Sequence, residues 1–389
     1  MSSIVYFGSA KQARLVAEET LPAKLDLILD QLHLRDRVKG EAVALKLHVG
    51  NNIGYSMIHP VFIRKVVKAI KDGGGRPFVV DLEWDTMNAE ARGYTPEVLG
   101  CPIYPAAGPF ERHYYVHERP YKNIAAWKLA GMIEEASFLV NFAHAKGHPS
   151  CAYGGAFKNL ALGCMIGETR GQMHDACHYD RYWFSERCPD ASVRAQIVAS
   201  CPHDGIVFDK YNPDELHLHF EQCNQCGRCL MVAPEGSLRI DAVNWNAFQE
   251  AMAISTQISL STFAPEKMIH MVLATHMTPV CDCFGFTSMP ILPDAGIFGS
   301  NDIVALDQAV LDFIAKTPLI EENVPTSMEI HSRHGHPLQW LHGPLKDPYK
   351  VVQYGAELGL GIRDYELVDV LPVEDIRPAP IGYVNLRSN

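Results

Sequence analysis

Ala42-Val43-Ala44-Leu45-Lys46-Leu47-His48-Val49 is an apolar run that carries a lysine and a histidine at its end, and together with the next forty or so residues it decides the fold. Pro60–Lys71 places Phe62, Val66, Val67 and Ile70 at helical spacing, and Gly73-Gly74-Gly75 stops it. Phe78-Val79-Val80-Asp81-Leu82 then reads as a second buried strand. Strand, helix and strand in this order need a crossover connection, which implies parallel pairing. The grammar continues with an amphipathic helix at Ala125–Ala136 and a strand at Ser137–Ala145. It returns late in the chain. Lys267–Thr275 reads as a strand, and Asp302–Ala315 as a helix capped by Ser300 or Asn301. Tyr349–Leu358 reads as a helix and Tyr365–Leu371 as a strand, while the His-, Gly- and Pro-rich Ile330–Pro344 reads as loop.

Between these two parts the periodicity breaks down. The segment from Ala191 to Asp241 offers only short strands, at Gly205–Asp209, Leu216–Phe220 and Ser237–Asp241, and Trp245–Thr262 leads back out of it. The reading is a parallel-sheet, Rossmann-like α/β domain in two sequence pieces, residues 1–189 and 244–389, with a small α+β module inserted at 190–243. Composition agrees with a folded chain: 47% of the 389 residues are apolar and only 20% are charged, which disfavours long disordered stretches. A net charge of −11 disfavours nucleic acid and anionic membrane surfaces as partners. No apolar stretch approaches the roughly 18 residues of a membrane span. The eleven cysteines are an odd number, and Met1–Ala10 lacks the basic start and apolar run of a secretory signal. Reduced thiols in a cytoplasm are expected, with metal ligation for any that cluster.

Cys223-x2-Cys226-x2-Cys229-x3-Ala233-Pro234 is the strongest local signal. The run Cys-x2-Cys-x2-Cys-x3-Cys-Pro wraps a cubane iron–sulfur cluster in bacterial ferredoxins, and here the fourth position is alanine. An internal repeat supplies the missing ligand. Cys201-Pro202-His203-Asp204-Gly205-Ile206-Val207-Phe208-Asp209 superimposes on Ala233-Pro234-Glu235-Gly236-Ser237-Leu238-Arg239-Ile240-Asp241 at an offset of 32 residues. Projected back by that offset, the three motif cysteines fall on Ala191, Arg194 and Ile197. In two-cluster ferredoxins the fourth cysteine of each run serves the other run's cluster. One complete set therefore survives, Cys201, Cys223, Cys226 and Cys229, and the other, at Ala191, Arg194, Ile197 and Ala233, is lost as a unit. This points to a ferredoxin-like module holding a single 4Fe-4S cluster, with a zinc knuckle or a metal-free module as the alternative. Four thiolate ligands leave no open iron, which favours electron transfer or a structural role over Lewis-acid chemistry.

A second constellation lies at the ends of the expected strands. Lys46 and His48 end the first, Asp81 the second, and His144, Lys146 and His148 follow the third. His276 and then Cys281-Asp282-Cys283 follow the strand at Lys267. In open α/β sheets, ligands bind at that carboxyl rim. Gly154-Gly155-Ala156-Phe157-Lys158-Asn159 adds paired glycines that let backbone N–H groups approach an anion, with Lys158 as countercharge. Cys281 and Cys283, not needed by the cluster, are free for a metal, a redox step or nucleophilic work. His174-x2-Cys177-His178 is a further metal element to weigh, whereas His331, His334, His336 and His342 read as loop decoration.

These motifs resemble those of an iron–sulfur family known only as domain of unknown function 362. The matching elements are Lys46-Leu47-His48-Val49-Gly50, Lys146-Gly147-His148, Gly154 through Leu160, Met173-His174, Cys281-Asp282-Cys283 and Pro290 through Ile297. Members typically carry a two-cluster ferredoxin insertion, so this chain departs by retaining one ligand set. A fainter likeness is to lactate racemase-type proteins, which also pair a Gly-Gly-x-Lys loop with histidines. The expected function is a cytoplasmic iron–sulfur oxidoreductase or electron-transfer enzyme of anaerobic metabolism. Lys46, His48, Lys146, Gly154, Gly155 and Asn159 would bind a small anionic substrate. His148, His174, Lys158, Cys281 and Cys283 would carry the chemistry. A second metal at the Cys-Asp-Cys loop, a redox partner protein and a homo-oligomer are compatible with this reading. The alternatives are a non-redox racemase or lyase with a structural cluster, and an electron carrier or scaffold without its own substrate.

Overall fold

Strands buried on both faces read as continuous apolar runs, because helices cover each side of a parallel sheet. The computed structural model, which describes residues 2–330 and 332–372, has this architecture. Its main sheet has eight strands. They are β1 (Ser3–Ser9), β2 (Ala42–Lys46), β3 (Arg76–Asp81), β4 (Ile103–Pro105), β5 (Phe138–His144), β6 (Met268–Ala274), β7 (Gly296–Ser300) and β8 (Tyr365–Asp369). Their order across the sheet is β8-β1-β7-β6-β5-β2-β3-β4. Each neighbouring pair is parallel except where β7 meets β1 and β6, to both of which it runs antiparallel. The sheet is therefore mostly parallel, and the expectation of a purely parallel sheet is corrected at β7.

Successive side chains serve two cores. Val43, Leu45, Val79, Val140, Phe142, Met271 and Leu273 pack with the helices Leu21–Gln31 and Pro60–Asp72. Ala44, Val80, Leu139, Ala143, Val272 and Phe298 face the other way, onto the helices Ala156–Ala161, Ala242–Leu260 and Ile303–Ala315. The Pro60–Asp72 helix starts on a proline, with the His59 side chain accepting from Val61 N–H (3.2 Å), and ends at Gly73 as its sequence implies. No helix among the described residues is long and apolar enough to cross a membrane.

Several local expectations change. Ala125–Ala136 is not a helix: Trp127–Ala130 is a strand paired antiparallel with Tyr114–His117, and only Gly131–Glu134 makes a helical turn. The buried Trp127 indole, donating to Arg119 O (2.7 Å), locks that hairpin, so tertiary pairing overrides local propensity. Ser237–Asp241 forms no strand, only an isolated bridge from Leu238 to Trp183. Ile330–Pro344 contains a helix, Pro337–His342, opened by a capping box in which His336 takes the place of Ser or Thr and Gln339 reaches back to His336 N–H (2.9 Å). His331 lies outside the described residues. Within residues 190–243 the elements are a helix at Ala191–Ala199, an antiparallel hairpin of Ile206–Phe208 with Leu216–Leu218, and a short helix at Arg228–Val232.

The helix Ile303–Ala315 is capped by Asp302, not by Ser300 or Asn301. The Asp302 carboxylate accepts from Val304 N–H (2.9 Å), Ala305 N–H (3.0 Å), Ser3 O–H (2.7 Å) and Ile362 N–H (3.0 Å). One side chain thus ties a helix start to β1 and to the segment leading into β8. Asp302→Ala is expected to lower stability by about 2 kcal/mol or more. Urea unfolding would register this as a lower midpoint at unchanged slope. A shift below about 0.5 kcal/mol would show that the cap carries no such weight.

Candidate functional site at the carboxyl rim

The adjacent strands β6, β5, β2 and β3 all end at one edge, and their last residues or following loops deliver polar groups to it. Lys46 closes β2 and Asp81 closes β3. The Lys46 ammonium donates to Asp81 Oδ1 (2.9 Å), Leu47 O (2.9 Å) and Asn159 Oδ1 (3.1 Å), which uses all three of its protons. Asp81 Oδ2 also meets His48 Nδ1 (2.9 Å) and Val49 N–H (3.0 Å). Burial would raise the Asp81 carboxyl, but Lys46 and His48 outweigh it and hold the group below the usual carboxylate range. Asp85 lies one turn beyond, 3.3 Å from His48. Among the described residues, His48, Asp81 and Asp85 are the one set of three or more His, Cys, Asp or Glu groups whose ligand atoms fall within 4.8 Å of one another. Lys46 already balances its charge.

Asp282 is the second buried anchor. It binds His144 Nδ1 (2.9 Å), Lys146 Nζ (3.0 Å) and Ser56 O–H (3.0 Å). On either side of it, Cys281 and Cys283 both face Lys158, whose ammonium is 2.8 Å from each sulfur. The two sulfurs are 2.9 Å apart, with Cys281 donating. That hydrogen bond drives the Cys283 thiol well below its ordinary range against the cost of burial, and the charges of Lys158 and His48 add to it. Burial and the Cys283 thiolate push Cys281 the opposite way. For His48, burial disfavours the cation, but Cys283, Asp85 and Asp81 outweigh burial and keep the imidazole protonated.

These groups line a cavity of ≈ 360 Å³ with Lys46, His48, Asp81, Lys146, Lys158, Asn159, His174 and Cys283 in its wall. Arg170 joins them, four residues before His174 on the helix Gly167–Asp175, so both fall on one helix face. Sequence reasoning alone misses Arg170, Asp85 and the anchoring role of Asp282. For Arg170 a signal is present: it stands at i, i+4 to His174, with Gly171 between them leaving open space on the helix.

Other expected site residues lie elsewhere. His148 is buried behind Lys158 with its ring stacked on Phe248, and it is not in the cavity wall. Burial and Lys158 push it well below the usual histidine range, whereas His174 stacks on the same ring from the cavity side. Gly154 and Gly155 do lead into a helix N-terminus, but an internal carboxylate fills it. Asp307 accepts from Ala156 N–H (3.0 Å), Phe157 N–H (2.9 Å) and Tyr153 O–H (3.0 Å). Gly155 is required there, since a Cβ would stand 2.1 Å from Tyr153 Oη. Burial raises the Asp307 carboxyl to about 6. His276 borders a neighbouring cavity with Tyr55. His174, Cys177 and His178 do not converge, because His178 turns away to Leu218 O (3.0 Å) and stacks on His217.

The thiols of the 190–243 segment gather separately. Cys201, Cys223, Cys226 and Cys229 line one small cavity, closed by Gly205, Ile206, Leu218 and Ile240. Burial, and then Cys223, Cys201 and Cys226, push the Cys229 thiol up to about 12. A cleft bordered by Cys223 and Asn224 on one side and by Val280 and Phe284 on the other joins this cavity's surroundings to the Cys281–Cys283 loop. Lys346 donates to Cys223 O (2.6 Å), and His342 meets Pro279 O (2.8 Å).

A family model described as Domain of unknown function (DUF362) matches residues 43–312, well over half of the chain. The chain belongs to this family. The match spans β2 through most of the helix after β7, so every residue of the rim cavity lies inside the DUF362 region. No curated protein matches the sequence. Among solved structures, the chain is similar to the lactate racemase apoprotein from Thermoanaerobacterium thermosaccharolyticum, at 11% identity and a TM-score of 0.30 over 70% of this chain. It spans about half of that protein's length (51%), and at that score the likeness assigns neither fold nor reaction.

The rim electrostatics predict that Cys283 reacts as a thiolate below the pH at which free cysteine does. With thiols reduced, iodoacetamide labelling of Cys283, read by peptide mass, should stay fast from pH 8 to pH 6. An unperturbed thiol of pKa near 8.5 would slow about tenfold per unit over that window. Lys158→Met should restore part of that slowing, since the Cys281 hydrogen bond remains. The same steep fall in the unmodified protein would show that the ion pair does not form.

Proposed function

We propose that this protein is a 4Fe-4S protein whose cluster serves an oxidoreductase site for a small anionic substrate at the sheet rim. The observation that carries the reading is the gathering of Cys201 with Cys223, Cys226 and Cys229 around one cavity, although Cys201 lies outside the recognisable motif. Their spacing suits a cluster better than zinc. Thiolates on one tetrahedral zinc stand about 3.8 Å apart, given Zn–S distances near 2.3 Å. No three of these sulfurs lie within 4.8 Å of one another among the described residues. A cubane binds each thiolate to a different iron and holds them farther apart.

The lost ligand set supports a ferredoxin-like origin for residues 190–243. The helices Ala191–Ala199 and Arg228–Val232 each lead into one of the two repeated Pro-containing segments, as that repeat requires. Where a second cluster's ligands would stand, Ile197 is fully buried and the Arg194 guanidinium donates to Cys188 O and Pro189 O (2.9 Å each). Packing and hydrogen bonds take the place of a second cluster.

Bound among the four cysteines, the cluster would supply one-electron chemistry. At the rim, Lys46, Lys146, Lys158 and Arg170 bring four side-chain cations to the cavity wall, matched in turn by Asp81, Asp282, Cys283 and Glu111. The remaining N–H groups of Lys146, Lys158 and Arg170, with the His48 cation beside them, would receive a small anion. His174 reaches the cavity and can hold or release a proton there. The Cys281 hydrogen bond, with Lys158 and His48 beside it, favours the Cys283 thiolate.

Cys201→Ala should abolish or convert the visible cluster absorbance and reduce bound iron in anaerobically prepared protein. Cys283→Ala should leave both unchanged. The reverse result would place the fourth ligand in the Cys281–Cys283 loop and refute the ferredoxin register. In potentiometry, the reading expects a reversible one-electron couple whose potential moves when a rim ligand binds. Turnover with a redox-silent cluster would instead mark a racemase or lyase.

A further inference from the structure

We propose that Cys281 and Cys283 form a reversible dithiol–disulfide couple that exchanges an electron pair with a small, carboxylate-bearing disulfide in the rim cavity. This deepens the reading of the rim as a redox site and rests on it, but it does not require the cluster's identity to be correct.

Three features of the geometry carry it. First, the loop is pinned by its middle residue. Asp282 is fixed by His144, Lys146 and Ser56, which leaves the flanking sulfurs together on Lys158. Second, the sulfurs already lie 2.9 Å apart, so closing a disulfide shortens that distance by only about 0.9 Å. Third, the two thiols are unequal in access. Cys281 is buried and Cys283 is exposed, which divides them into a resolving and an attacking thiol. The ionisation of the pair agrees, with the proton held on Cys281 and the charge on Cys283. The wall supplies the substrate class: Lys146 and Arg170, each held by one carboxylate of the protein (Asp282 at 3.0 Å, Glu111 at 3.1 Å), turn their remaining N–H groups to a disulfide that bears carboxylates.

Two thiol–disulfide exchanges in sequence balance the atoms and electrons. The Cys283 thiolate attacks one sulfur of the substrate disulfide. That S–S bond breaks, a substrate thiolate leaves and takes a proton from solvent, and a mixed disulfide remains on Cys283. Cys281 then attacks the Cys283 sulfur. The mixed S–S bond breaks, and the second substrate thiolate departs with the proton that Cys281 gives up. The protein dithiol is oxidised by two electrons, and the substrate disulfide is reduced by two electrons to two thiols.

Oxidised glutathione is the probe. The intact protein, reduced and freed of reductant under anaerobic conditions, would be mixed with it, acid-quenched, alkylated and mapped by peptide mass, with iron content and cluster absorbance recorded on the same sample. The expected product is a peptide in which Cys281 and Cys283 are joined. Cys281→Ser should instead accumulate glutathione on Cys283, and Cys283→Ser should form neither product in this loop. Lys158→Met should slow the first step at pH 7 by about tenfold or more. The inference is overturned if the wild-type loop stays reduced while the cluster is intact, or if Cys281→Ser fails to trap glutathione on Cys283. If the joined peptide forms in protein that binds no iron, the couple stands and the cluster reading falls.

Discussion

Asp81 is the carboxylate on which the rim depends. It is fully buried at the end of β3 and takes hydrogen bonds from the Lys46 ammonium, the His48 ring and Val49 N–H, all from the strand beside it and its continuation. Two cations are stable in that position only because a carboxylate faces them. Leaving one of them unpaired in such a site costs about 3–5 kcal/mol. Through His48 the same carboxylate reaches Cys283, and through Lys46 it reaches Asn159, which donates in turn to Lys46 O and Asn141 Oδ1. The parallel sheet supplies the positions, and Asp81 together with Asp282 supplies the charge that lets lysines and histidines stay there.

The two thiol groupings in the molecule show how environment divides one functional group into two chemistries. Cys229 sits among three other thiols, with burial against it, so its own protein disfavours the thiolate. A bound metal cation would reverse that preference. Cys283 accepts from Cys281 and has Lys158 and His48 beside it, which favours its thiolate without any metal. The sequence shows the same residue type in both places. The difference lies in which cation the fold brings, and in the second case that cation, Lys158, comes from 125 positions away.

How much can be read from the sequence depends on how local each signal is. The β2–helix–β3 unit is legible because apolar spacing, a proline start and a glycine stop agree within about forty residues. The rim is legible because polar residues at strand ends stand out from apolar runs. The gathering of Cys201 with Cys223, Cys226 and Cys229 needs a repeat at fixed offset, which sequence also carries. By contrast, β1 and β7 give no clear signal: Ser3–Ser9 is partly exposed, and Gly296–Ser300 contains two glycines and gains its identity only by lying between β1 and β6. The Ala125–Ala136 segment misleads because a helical moment can arise in a strand whose partner, Tyr114–His117, has no strong signal of its own. The Gly154–Gly155 turn is an anion site, as its glycines imply, but it is not a vacant one. The anion, Asp307, comes from a helix about 150 residues later, and nothing local announces it.

The strand order has a consequence for how the chain is made. β1 lies between β8 and β7, and β5 needs β6, so the first half of the chain contributes strands whose neighbours are encoded last. During synthesis from the amino terminus, residues 190–243 emerge before β6, β7 and β8 exist. All four cysteines of that segment therefore emerge while the sheet is still open at β5 and β1 has no partner. The later strands then complete the sheet after that thiol-rich segment has emerged.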